Sequence, residues 1–250
     1  MFRKVLFGAL TLLLALGMVG CGGGDKPAEK PAQEKKEVTA DKAVVTYAEL
    51  LATGESATAG DLGLTDAEKA ELVNFAVKNT IEFFGNNTML SEKSAQAIAA
   101  KIHELSKKNM KFSATIKKDD PEHPVVELKT TPWTPSLDVT NEEAEKDMDA
   151  WLQMNMQLQE SGTTPEQLKE NEEFQNLTVK MIISGFNTII FNTEKTFETT
   201  CNKVNGHWAP EKVDSLYYFL MGIDIEALKK LAEDPEAFFQ ETMQGINQQQ

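Results

Sequence analysis

The sequence predicts an α+β fold, with helices packed on a small antiparallel sheet. Three observations carry this expectation. Stretches of helical period alternate along the chain with stretches of period two. Residues 111–116 and 125–131 alternate around a polar break at 119–124, which reads as an antiparallel hairpin. Residues 196–204 return to strand period and run into Asn205-Gly206, a pair that accepts the positive φ of a tight hairpin turn.

The elements follow in order. Ala43, Val44, Tyr47, Leu50 and Leu51 recur at helical spacing and predict a first short helix, and the small residues of 54–63 predict a loop. Thr65-Asp66-Ala67-Glu68 is a capping box for the next helix, whose stripe is Leu72, Phe75, Ala76 and Phe83. Gly85-Asn86-Asn87 ends it. Ser91 opens another helix, with Ala95, Ile98, Ile102 and Leu105 facing inward. After the first hairpin, Thr140-Asn141-Glu142-Glu143 is a second capping box, for a helix to about Gln159. Thr164 followed by Pro165 marks a further helix start. Residues 174–191 are apolar nearly all round, which predicts a buried central helix. His207, Trp208 and Ala209 begin the returning strand and Pro210 ends it. Residues 213–250 read as a helical extension: 216–221 are strongly apolar, Ile225, Leu228 and Leu231 follow, and Asp234-Pro235 caps a last helix holding Phe238, Phe239 and Met243.

The N-terminus has a different character. Arg3 and Lys4 precede an apolar run over residues 5–19 with six leucines, and small residues lead to Gly20 and Cys21. A positive start, a short apolar core and a small-residue cleavage site describe a secretory signal peptide over residues 1–20. The run is shorter than the roughly 20 apolar residues of a membrane-spanning helix. The residues before Cys21 resemble the lipobox of bacterial lipoproteins, with Met18 where leucine is usual. That resemblance implies cleavage after Gly20, a diacylglyceryl group on the Cys21 thiol, and further acylation by a fatty acid such as palmitate. Several acyl chains hold a protein on a membrane far better than one, at about 0.8 kcal/mol per buried CH₂. The expected location is the extracytoplasmic face of the cell membrane. The alternative is an ordinary cleaved signal with a chance cysteine. Residues 21–40 then form a tether: Gly22-Gly23-Gly24 gives freedom, Pro27 and Pro31 stiffen it, and alternating Lys and Glu keep it solvated. Residues 41–250 are long enough for one domain with its own core.

Charge narrows the partners. The net charge is −14, and losing Arg3 and Lys4 with the leader makes it −16. So acidic a surface excludes nucleic acid as the expected partner, because phosphates demand Lys and Arg. It equally disfavours a basic patch for anionic headgroups. The expected partners are the membrane, through the lipid on Cys21, and an envelope protein or a small ligand.

No motif with catalytic or metal-ligand spacing is present. His103, His123 and His207 fall on a helix, a turn and a strand edge, with no His-Glu-x-x-His and no Cys-x-x-Cys. No cofactor is expected. With Cys21 acylated, Cys201 has no disulfide partner. It reads as a small buried hydrophobe, or as a nucleophile if His207 approaches it. Glu142, Glu145 and Asp149 share one helix face and read as a solvated acidic surface. Met148, Met154 and Met156 lie on that helix with Trp151. They suit packing or a partner surface, and a Cu(I) carrier is the alternative. Trp133, Trp151, Cys201, His207 and Trp208 are the candidate pocket residues.

The strand, Asn205-Gly206 turn and 207–209 strand resemble the close of cone-like domains of the cystatin-like or nuclear-transport-factor-like group. That resemblance implies a curved antiparallel sheet wrapped around a long helix. Leu62-Gly63-Leu64-Thr65 and Gly206-His207-Trp208 also resemble an uncharacterised family of bacterial surface lipoproteins, over residues 41–222. Two readings compete: a non-catalytic binding module of the envelope, and an envelope enzyme with its site in the mouth of the cone.

Overall fold

The computed structural model describes residues 38–85, 90–136 and 141–224. The expected leader with its cleavage site at Gly20, the expected lipidation site Cys21, the expected tether to residue 37, Asn86-Asn87, Thr140 and the helices expected within 225–250 lie outside the described residues. The fold is α+β. In order, it runs α1 (Ala40–Thr53), α2 (Ala59–Leu62), α3 (Asp66–Gly85), α4 (Glu92–Asn109), β1 (Phe112–Lys118), β2 (Val125–Thr130) and β3 (Thr134–Pro135). Then come α5 (Glu142–Glu160), α6 (Pro165–Glu170), α7 (Glu172–Gly185), a 3₁₀ turn (Phe186–Thr188), β4 (Ile189–Ile190), β5 (Lys195–Val204), β6 (His207–Pro210) and α8 (Val213–Leu220).

The main sheet is antiparallel, in the order β1-β2-β5-β6. Val126 faces Ile116 on one side and Thr199 on the other, and Leu128 faces Ala114 and Phe197. Both hairpins lie where turn chemistry predicts them. Asn205 (φ 50°) and Gly206 (φ 86°) make the β5–β6 turn. At the first turn, the Asp120 carboxylate accepts the backbone N–H of Glu122 at 3.1 Å and of His123 at 2.9 Å.

Helix α1 lies against the sheet. It packs on β1, β2 and β6, and also on α3, α4 and α8. Its Ala40, Ala43, Ala48 and Ala52 are buried alongside Val44, Leu50 and Leu51. Alanines on several sides let neighbouring backbones come close, and the same residues favour the helix itself. Its C-cap, Gly54 (φ 76°), turns the chain close against the imidazole of His103.

The stretch predicted as one central helix over 174–191 differs in two respects. Helix α7 ends at Gly185, and Ile189–Ile190 instead pair with β3, Thr134 facing Ile190 and Pro135 facing Ile189. A β-branched pair beside an available edge gains ladder hydrogen bonds that a further helical turn would not offer. The second difference is that α7 packs on α4, α5 and α6, away from the sheet's main helix contact. Its Val179, Ile182 and Ile183 are half-buried rather than sealed.

The helix caps follow the sequence closely. The Thr65 hydroxyl accepts the Glu68 N–H at 3.2 Å while Glu68 accepts the Thr65 N–H at 2.8 Å. Thr164 and Gln167 form the same reciprocal pair ahead of Pro165. Within the second predicted box, Asn141 caps α5, accepting the Ala144 N–H at 3.1 Å. Asn141 also donates to the Ser184 carbonyl at 2.7 Å, which satisfies an end of α7 at the same time.

Candidate functional site

The five candidate pocket residues are distributed over three environments. Trp133 is buried. Its indole N–H donates to Ser106 at 2.8 Å, and its ring meets Phe186 and Phe191 edge-on. Trp151 sits between α5 and α7, donating to the Thr178 hydroxyl at 2.9 Å beside Phe174. Cys201, His207 and Trp208 share the β5–β6 hairpin.

Cys201 and His207 do not form a nucleophile–base pair. Cys201 lies opposite Pro210 in the ladder and His207 opposite Val204, three residue steps away, or about 10 Å along the strand. His207 is buried, and its Nε2 lies 3.3 Å from the hydroxyl of Tyr47 on α1. Cys201 has no exposed surface, and burial pushes its thiol up to about 12. A thiol with that pKa is neutral at physiological pH and is a poor nucleophile. Native protein at about pH 8 should therefore resist iodoacetamide at Cys201, and unfolding in urea should make the same cysteine react fully, as read by mass spectrometry of its peptide. Rapid labelling of the native chain would show that the hairpin opens.

Tyr47 is raised to about 12, first by burial and then by the negative charge of Glu68. Glu68 joins the two ends of this region. It caps α3 through Thr65, and it accepts a hydrogen bond at 2.9 Å from Asn205 at the hairpin tip. Burial raises the Glu68 pKa, but the bonds from Asn205 and Thr65 and the nearby His207 outweigh it, so the carboxyl stays ionised. This assembly of Tyr47, His207, Glu68 and Asn205 fixes the hairpin to α1 and α3. Its sequence signals were those of a core tyrosine and a cap, which name no distant partner.

Among the described residues, two open clefts have strand residues in their walls. The first, of about 450 Å³, is lined by Glu49, Glu55, Ser56, Lys107, Met110 and Phe112, among others. Ser56 donates to the Glu49 carboxylate and Lys107 pairs with Glu55, so the charged groups on its wall are already engaged. The sequence marked this stretch simply as a loop of small residues. The second, of about 270 Å³, includes Val38, Ile116, Asp119, Pro121, Lys203 and Trp208 in its wall. Lys203 sits over the Trp208 ring, 4.9 Å from its centroid, a cation–π arrangement. This cleft lies where the described chain begins, at Val38.

A different feature marks α5. Met148, Leu152 and Met156 are 45, 44 and 60% exposed. They succeed one another at four-residue spacing, so they form one stripe. Met154 is half-buried and points away from that stripe, which leaves the three thioethers on two faces of the helix. On its inner side, α5 is held to α7 by Trp151 and by Asp147, whose carboxylate accepts from Lys180 at 2.7 Å. The hydrogen bond from Lys180 holds Asp147 below the usual carboxylate range. Among the described residues, no group of three or more His, Cys, Asp or Glu is placed to hold a metal ion, and no helix is long and apolar enough to cross a membrane.

No protein-family model matches this chain, and no curated protein sequence does. Among solved structures, the chain is similar to the crystal structure of ycdA, a candidate lipoprotein of Bacillus subtilis, at 18% identity and a TM-score of 0.48. The likeness covers 73% of this chain and 55% of that one, so the chain spans about half the length of the Bacillus protein.

Proposed function

We propose that this chain is a lipid-anchored, extracytoplasmic lipoprotein whose domain is a non-catalytic binding module of the cell envelope. The observation that carries the reading is the run of residues 1–21, where a positive start, an apolar core and small residues end at Cys21. The acidic net charge supports a protein that stays soluble beside an anionic envelope surface. Binding is favoured over catalysis because the most reactive candidates are committed: His207 to Tyr47, Cys201 to burial, and Glu49 and Glu55 to Ser56 and Lys107. The cone-like reading is supported by the packing of α1 on β1, β2 and β6 of a four-stranded antiparallel sheet.

The test replaces Cys21 with alanine and follows the chain through cell fractionation, with the N-terminal peptide weighed by mass spectrometry. The native chain should partition with membranes and begin at an acylated Cys21. Cys21→Ala should lose both the acyl mass and processing after residue 20. A native chain with an unmodified Cys21, or one beginning elsewhere, overturns the reading.

A further inference from the structure

We infer that the outer face of α5 is a docking surface for a cationic amphipathic helix of a partner protein. This deepens the binding-module reading and does not depend on the lipid anchor. The face joins two features. Met148, Leu152 and Met156 fall within a sector of about 80° and span about 12 Å along the axis. Glu145 lies inside that sector, and Asp149, Glu142 and Glu160 lie within about 40° of its edge, all exposed. Lys146, the single cation of α5, lies further round.

The apolar stripe matches the anchors that an amphipathic helix presents at successive turns. Methionine suits such a surface, because its unbranched thioether re-packs against differently shaped side chains. The carboxylates alongside choose the occupant. A second copy of this chain would bring the same acidic face and meet like charge, and anionic lipid would be repelled likewise. Lys or Arg flanking the partner's apolar stripe would meet Glu145 and Asp149 instead, which speeds encounter and fixes orientation. The inner face of α5 is rigidly held by Trp151 and by Asp147 with Lys180, so the outer face is presented on a fixed element. Rigid presentation lowers the ordering cost of binding.

The probe is a labelled Leu/Lys peptide of about 18 residues whose leucines fall on one helical face. Two controls accompany it: a scrambled peptide of the same composition, and one with Glu for Lys. Whole chain in phosphatidylcholine nanodiscs is titrated against empty discs by fluorescence anisotropy. Chain that does not enter the discs signals failure of the anchor alone, and the same titration then runs in solution. The facial cationic peptide should bind. The triple variant M148Q/L152Q/M156Q should weaken it by about tenfold or more, and E145Q/D149Q should flatten its salt dependence. These positions are exposed, so circular dichroism of the variants should match the native chain.

A photoreactive residue at Leu152 adds a second readout and should cross-link to the peptide. Equal binding of the scrambled or acidic peptide, or unchanged binding by the triple variant, overturns the proposal. So does a cross-link from position 152 to a second copy, or to residues 225–250, that excess peptide does not displace.

Discussion

Replacing Gly222 with alanine should destabilise the fold by about 3–5 kcal/mol. Gly222 follows α8 at φ 65°, in the left-handed region, and a Cβ there would collide with the Trp133 carbonyl oxygen. The obstacle is backbone, which has no rotamer to escape into. Relief requires moving either the end of α8 or the segment carrying Trp133. Either motion strains the bond from the Trp133 N–H to the Leu220 carbonyl, now 3.1 Å, and disturbs the Trp133 ring between Phe186 and Phe191. Gly63 provides the control. It sits at φ 88° with open space where a Cβ would go, so Gly63→Ala should cost about 1–2 kcal/mol, the left-handed penalty alone. Urea denaturation of both variants measures the difference. Equal losses would show that Trp133 and Gly222 are not in contact.

Truncating Phe174 to alanine should cost about 3–5 kcal/mol. Phe174 is among the largest side chains with no exposure, and it lies on α7, which packs on α5. Its ring centre is 6.1 Å from that of Trp151. Its carbonyl accepts the Thr178 hydroxyl at 2.7 Å, and Thr178 in turn accepts the Trp151 indole N–H. Loss of the ring therefore leaves a cavity and loosens the polar chain that positions Trp151. Near-ultraviolet circular dichroism should weaken along with the melting temperature. Conservative Phe174→Leu should recover much of the loss, because volume and apolarity are nearly kept. A loss below about 1 kcal/mol for the alanine variant would mean that the α5–α7 layer is not packed around this ring.

Elements with local signals were legible from the sequence, and those defined by distant partners were not. Thr65 with Glu68 and Thr164 with Gln167 carry their caps within four residues, and Asn205-Gly206 carries its turn in two. The end of α7 was misplaced because Ile189 and Ile190 suit a helix or a strand, and the choice is made by β3, more than 50 residues earlier. Which helix lies on the sheet was not legible for a related reason. Apolar content says that a helix is buried, while layer membership depends on close approach, which the alanines of α1 permit. The candidate residues Cys201, His207 and Trp208 were correctly placed on one hairpin, but their roles depend on Tyr47, Glu68 and Lys203. The exposed side of α5 was half legible: its acids and methionines were visible at helical spacing, and the structure adds which of them share the outer face.

The place of α1 also sets a schedule for biogenesis. This helix is made first among the described elements, yet β6 and α8, two of the surfaces it packs on, are made last. At ordinary synthesis rates the interval between them is on the order of ten seconds. Until residues 207–220 emerge, Tyr47 lacks His207 and α1 lacks the part of its shelter that β6 and α8 provide, so a nascent chain stays available to holding chaperones. The contacts of α1 with β6 and α8 close only once the chain through residue 220 has been made.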